Sequence, residues 1–237
     1  MMRDREKLEI QRAQKLLYDQ YGDNVINILN GQSMYDYFEK HKLTEYGQFA
    51  PFNEAMCVGN AVEDIFSLEF ISCRCAAHHV TLEQYKQVTL EPLQKLFNNN
   101  AKCIALWFGD DMFCQINFLT ILAYLDEINF SGKTFFNLVR DNAVEIEIFE
   151  IDIKGYKKLY NQVIIYRELP NVVLMPVLYN GIILYLEYLH EENEISSYIK
   201  NHLNLSEEEL IERLFKTFPQ YGLGDTQYMD LIRNCKG

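Results

Sequence analysis

The sequence predicts an α/β fold: a small, mainly parallel, three-layer sheet with crossover helices over residues 1–170, followed by an all-helical C-terminal module over residues 171–237. Three observations carry this expectation. Short apolar runs at 25–29 and 103–108 are each followed by a polar turn and then by helical spacing, as expected of buried strands leading into helices. Strands separated by helices pair in parallel through crossovers. After "RELPNVV" the pattern becomes helical almost to the end of the chain.

The elements follow in order. Residues 3–20 form an amphipathic helix with Leu8, Ile10, Ala13, Leu16 and Leu17 on one face. "VINIL" suits a buried strand, Asn30-Gly31 a turn, and Ser33 with Asp36 a capping box that starts the next helix. "YGQFAPFNEAMCVGN" reads as a short strand and a loop, and residues 61–98 as two helices broken near Val80 and Thr81. Residues 103–108 form the second convincing buried strand. Ile116, Leu119, Leu122, Ala123 and Leu125 then space a helix over 112–128. "GKTFFNLV" is a further strand. "AVEIEIFEI" alternates Val144, Ile146 and Ile148 with glutamates, the period of a half-exposed edge strand. In the last part Pro176 suits a first helical turn. Ser206 with Glu209 forms a capping box before Leu210, Leu214 and Phe218, and Asp225 caps a helix bearing Tyr228, Leu231, Ile232 and Cys235.

Composition narrows the function classes. The 237 residues are 49% hydrophobic and 14% aromatic, enough for a substantial core. Lys and Arg number 22 against 34 Asp and Glu, a net charge of −12 that repels phosphate backbones and anionic lipid. The charged, amphipathic start does not read as a signal peptide, and the most apolar segment, 172–186, is interrupted by Pro176, Asn180 and Gly181. Six irregularly spaced cysteines read as reduced core thiols. A soluble, cytoplasmic protein with no membrane partner and no cofactor is expected.

"LWFGDDMFCQINFLTILAYL" resembles the W-x-G…Q-x-x-x-L segment of the bacterial domain of unknown function 1835 family. Further points of resemblance are "NGQS" with Gly31 and Ser33, "FNEAMCVG" with Asn53, Glu54 and Gly59, "SCRCA" with Arg74, and the ending "FPQYGLGDTQYMDLI". The likeness covers residues 24–140 and, more weakly, 205–232. Where the family has Asp in its first turn, this chain has Gln32. The resemblance implies the fold, a pocket and a small C-terminal helical module, and no activity, since none is assigned to the family.

Ligands collect where strand-to-helix turns converge at the carboxyl ends of parallel strands. Three turns, around Gly31 and Ser33, Asn53 and Glu54, and Gly109 to Asp111, would bring together Gly31, Ser33, Asn53, Glu54, Trp107, Asp110, Asp111 and Gln115, with Arg74 pairing with one of the acids. The plainer alternative makes Ser33 and one of the aspartates helix caps and Trp107 a packing residue. "CRCAAHH" has the wrong spacing for a four-ligand zinc site, and its thiols read as core-facing.

A ligand- or partner-binding, regulatory protein is therefore the first functional expectation, its partner a small molecule or a protein. A hydrolase or transferase using the same acids is the alternative. A DNA-binding helix pair joined by "PQYGLG" is the third, but residues 187–237 carry five basic against ten acidic side chains, which disfavours nucleic acid.

Overall fold

The computed structural model describes residues 4–98, 101–140 and 145–236. Helix α1 (Asp4–Tyr21) leads into β1 (Val25–Leu29), α2 (Gln32–Lys40) and β2 (Gln48–Pro51). The chain then crosses through α3 (Leu68–Ala77), α4 (Leu82–Tyr85), a π-helical turn at Lys86–Leu90, and α5 (Gln94–Phe97) to β3 (Cys103–Phe108). Helix α6 (Met112–Glu127) connects to β4 (Lys133–Leu138), and β5 (Glu147–Ile151) returns along its edge. Helix α7 (Tyr156–Tyr160) runs on into a second π-helical turn at Asn161–Ile165. The rest is helical: α8 (Pro176–Tyr188), α9 (Glu194–Asn201), α10 (Glu207–Thr217) and α11 (Asp225–Lys236).

The five strands lie in the order β2-β1-β3-β4-β5. The first four are parallel and β5 is antiparallel, with Ile28 opposite Leu106, Leu106 opposite Phe136 and Phe136 opposite Phe149. An α/β sheet followed by helices is thus what the chain forms. The alternating segment does supply an edge strand, whereas Val144 falls outside the described residues. Lys133 and Glu150 form an exposed ion pair across β4 and β5 at 2.5 Å.

Strand alternation sends side chains to two helical layers. Val25, Leu29, Cys103, Ala105 and Trp107 pack with Ile10, Ala13, Leu17 and Phe38 from α1 and α2. Ile26, Ile28, Ile104, Leu106 and Phe108 face α6 and a larger core. On α1 the buried stripe is narrower than expected: Leu8 and Leu16 are 63% and 60% exposed. Their place is taken by Gln14, whose Nε2 donates to the Leu43 carbonyl at 2.9 Å.

One helix start and one helix face differ from expectation. The N-cap of α2 is Gly31, so Ser33 lies inside the helix and forms no capping box; Asp36 accepts instead from Gln32 Nε2 at 2.7 Å. Helix α6 is not amphipathic, since every residue from 114 to 123 is buried. The sheet covers one side and α7 and α8 the rest, so a helix with no solvent-facing polar face is the physical consequence. Gly181 makes the α6–α8 contact possible, because a Cβ there would lie 2.5 Å from that of Gln115. The glycine that interrupts the apolar run is thus a packing device.

The C-terminal helices share the core on the α6 face, through Leu178, Ile182, Ile195, Ile199, Leu214 and Ile232 among others. Ser206 caps α10 by accepting from Glu209 N at 3.2 Å. Among the described residues no helix is long and apolar enough to cross a membrane.

Candidate functional site

Between β1 and β3 the strand order reverses, which is where open parallel sheets place ligands. Here that crevice is filled by protein side chains. Asn117, from α6, donates to Asn30 Oδ1 at 2.9 Å and to the Glu54 carbonyl at 2.7 Å, while its Oδ1 accepts from Met56 N at 3.0 Å. Asn30 in turn donates to Cys114 Sγ at 2.8 Å. These amides tie together the ends of β1 and β2 and the first turns of α6.

The opening lies next to this seal, on the β2 side. A cavity of about 570 Å³ is bounded by Gly31 and Gln32, by Asn53 to Ala55, by Phe113, and by residues between His78 and Pro92. The α4 segment and its π-helical turn form the outer wall, where Asn53 Nδ2 donates to the Val88 carbonyl at 2.8 Å and Thr89 Oγ1 to the Asn53 carbonyl at 2.9 Å. Single π turns are frequent at functional sites, because the extra residue redirects side chains.

A buried carboxylate lies at the base of the cavity. Glu54 Oε2 is 2.9 Å from Arg74 Nη2, and both side chains are fully buried. Tyr85 OH donates to Glu54 Oε1 at 2.7 Å, and Ala55 N donates to Oε2 at 2.9 Å. Burial pushes the Glu54 carboxyl up, but the hydrogen bond from His78 and the charge and hydrogen bonds of Arg74 outweigh it and bring it down to about 2. The Arg74 guanidinium is held correspondingly above its usual range: burial lowers it, and Glu54 more than compensates. Burial, with Glu54 next in weight, drives the Tyr85 phenol well upward, which keeps it a donor.

Hydrogen positions in this cluster follow from counting. Arg74 has five N–H groups. Nε–H goes to the Glu54 carboxylate, the two on Nη1 to the carbonyls of Val58 and Asn60, and the two on Nη2 to Glu54 Oε2 and the Ala55 carbonyl. None is left for His78, whose Nε2 lies 2.9 Å from both Nη2 and Glu54 Oε2. A ring nitrogen that close to a carboxylate oxygen must carry the proton between them. His78 therefore donates Nε2–H to Glu54, which leaves Nδ1 as the unprotonated nitrogen of a ring that borders the cavity and is 24% exposed.

The residues singled out in the sequence divide into two groups. Gly31, Asn53 and Glu54 meet at the cavity, and Arg74 reaches Glu54 from α3. The others do not join them. Trp107 is fully buried on the opposite face of the sheet, edge-on to Phe38 at 5.6 Å, with Nε1 donating to Asn27 Oδ1 at 2.9 Å. Asp111 caps α6 by accepting from Cys114 N at 2.8 Å and is covered by Gly222, where a Cβ would lie 2.0 Å from its Oδ1. Burial raises its carboxyl above the usual value, despite the hydrogen bonds it accepts. Asp110 pairs with Arg140 at 3.1 Å on the surface. Gln115 is buried, and its Nε2 donates to the Gly109 carbonyl at 2.5 Å. Ser33 is exposed and lies outside the cavity.

Sequence reasoning missed His78, Tyr85, Asn117 and Phe113 as members of one site. The one available signal was the i, i+4 spacing of Arg74 and His78, which puts both on one face of a helix. Cys73 and Cys75 are half-buried rather than core-facing, and Cys73 Sγ donates to the Asn60 carbonyl. Among the described residues no group of three or more His, Cys, Asp or Glu side chains is arranged to hold a metal. Compared with known proteins, the chain matches no family model, no curated protein and no solved structure.

Proposed function

We propose that this protein binds a small organic molecule in the cavity at the carboxyl ends of β1 and β2, and that it acts as a ligand-responsive, regulatory protein. The observation that carries the reading is the Glu54–Arg74–His78–Tyr85 cluster at the base of a cavity of ligand size. Burying an ion pair is costly unless every partner is satisfied, and this one is satisfied on all sides. Such a cluster holds the floor of a pocket rigid. Membership of the domain of unknown function 1835 family belongs to the same proposal. In its favour, "LWFGDDMFCQ" spans the β3–α6 turn, and the Asn53–Glu54 segment borders the cavity.

The test is a fragment screen on the full chain, read by thermal shift and by amide NMR. The expected hits raise Tm and move the signals of Gly31, His78, Val88 and Phe113 together. A broad, chemically diverse library that moves none of these four signals would overturn the reading.

A further inference from the structure

The chemistry of the ligand follows from what the cavity walls have left to offer, and this inference rests on the cavity being the binding site. Most polar groups there are already used. Both Glu54 oxygens accept from protein donors, Tyr85 spends its O–H on Glu54, and Asn53 Nδ2 gives its two hydrogens to Gln32 Oε1 and the Val88 carbonyl. Gln84 Oε1 accepts from Thr81 N, so its Nε2 is left. Gln87 Nε2 reaches Glu83 at 3.4 Å, so its Oε1 is left. His78 Nδ1 has no protein partner among the described residues.

What remains is the acceptors His78 Nδ1, Gln87 Oε1 and Asn53 Oδ1, amide hydrogens on Gln84, Gln87 and Gln32, and no unspent charge. Among the described residues no Lys or Arg borders the cavity, and the guanidinium of Arg74 beneath it has committed all five of its N–H groups. A phosphate or carboxylate would meet a buried carboxylate and no cation. Around these polar groups stand Val80, Val88, Pro92 and Phe113, surfaces suited to the face of a flat ring. Side-chain amides match the mixed donor and acceptor edge of a nucleobase, where a carboxylate or an ammonium would match only one half.

We infer that the cavity takes an uncharged heterocycle with adjacent N–H and acceptor groups, a nucleobase or its nucleoside, one N–H of which is donated to His78 Nδ1 while Gln84 Nε2 and Gln87 Oε1 read the same edge. His78 is the fixed point of this recognition. Glu54 orients its ring from behind, and the ring cannot turn over without breaking the bond to Oε2.

Calorimetric titration of the full chain with adenosine, guanosine, cytidine and uridine, and separately with adenosine 5′-monophosphate and inorganic phosphate, tests this. At least one nucleoside is expected to bind, to shift the His78 ring signals, and to bind more tightly than the monophosphate. Gln87→Met, at a solvated position, should weaken that nucleoside by about tenfold with Tm unchanged, and His78→Phe by more. Binding of inorganic phosphate or tighter binding of the monophosphate would overturn the uncharged class. Silence from every nucleoside while other fragments shift the cavity signals would reject the heterocycle and leave the cavity as a site. Silence from fragments as well would remove the site itself, and this inference with it.

Discussion

Arg74 Nη2 lies 2.9 Å from Glu54 Oε2, and the guanidinium also donates to the carbonyls of Ala55, Val58 and Asn60. One side chain of α3 thus organises an irregular loop that has little regular hydrogen bonding of its own. Arg74→Met would leave a buried carboxylate and three carbonyls without their donor. We expect a loss of about 3–5 kcal/mol, roughly 10 °C in Tm for a chain of this size. Adding Glu54→Gln should recover part of that loss, because the uncompensated charge goes with it. Urea unfolding of the two single variants and the double variant measures both effects. A single-variant cost below about 1 kcal/mol would contradict the buried pair.

The acid limb of the stability curve should carry the signature of Glu54. Its carboxyl falls from 4.5 to about 2 on folding, so its contribution is fully present above about pH 4.5 and is lost as pH drops toward 2. A shift of that size corresponds to roughly 3 kcal/mol. Asp111 acts with the opposite sign: its raised carboxyl favours the folded state at low pH and opposes it above. Asp111→Asn keeps a good capping residue and removes a buried charge, so it should be neutral or stabilising at pH 7. Glu54→Gln should flatten the loss of stability between pH 4.5 and 2. Unfolding curves taken across that range check both signs.

Trp107 should report global unfolding and be insensitive to the cavity. It is fully buried against Phe38 and Asn27 on the far side of the sheet. Its emission should be blue-shifted and resistant to iodide quenching, and a ligand bound at His78 should leave it unchanged. Ready quenching in the native state would place the indole elsewhere.

The His78 tautomer can be observed directly. Long-range nitrogen–proton correlation spectra should show a protonated Nε2 in the folded protein. A neutral ring protonated at Nδ1 would break the proton count around Arg74.

The fold could be read from the sequence because its signals are local. The runs at 25–29 and 103–108 are buried on both faces, and the glutamates of β5 mark an edge that has solvent on one side. The burial of α6 was harder to read, since Gln115, Asn117 and Thr120 read as solvent-facing polar residues until their partners are known to be protein. The site was half visible. Glu54 and Arg74 stood out by residue type, but His78 and Tyr85 join them through the α3–α4 break, whose angle no periodicity encodes. Trp107 misled because a lone tryptophan beside a glycine suggests a rim, while strand alternation, which was there to be read, sends it to the other face.

Helix α6 also bears on how the chain must fold as it is made. Its sheet neighbours are all synthesised by Ile151, but the rest of its surface is covered by α7 and then α8, and the last of these ends only at Tyr188. At about 5–20 residues per second the ribosome leaves a helix buried along ten consecutive residues incompletely covered for several seconds. Within that interval the nascent chain presents Ile116, Leu119 and Leu122 to the cell, and a chaperone that recognises apolar helices has its natural moment to act.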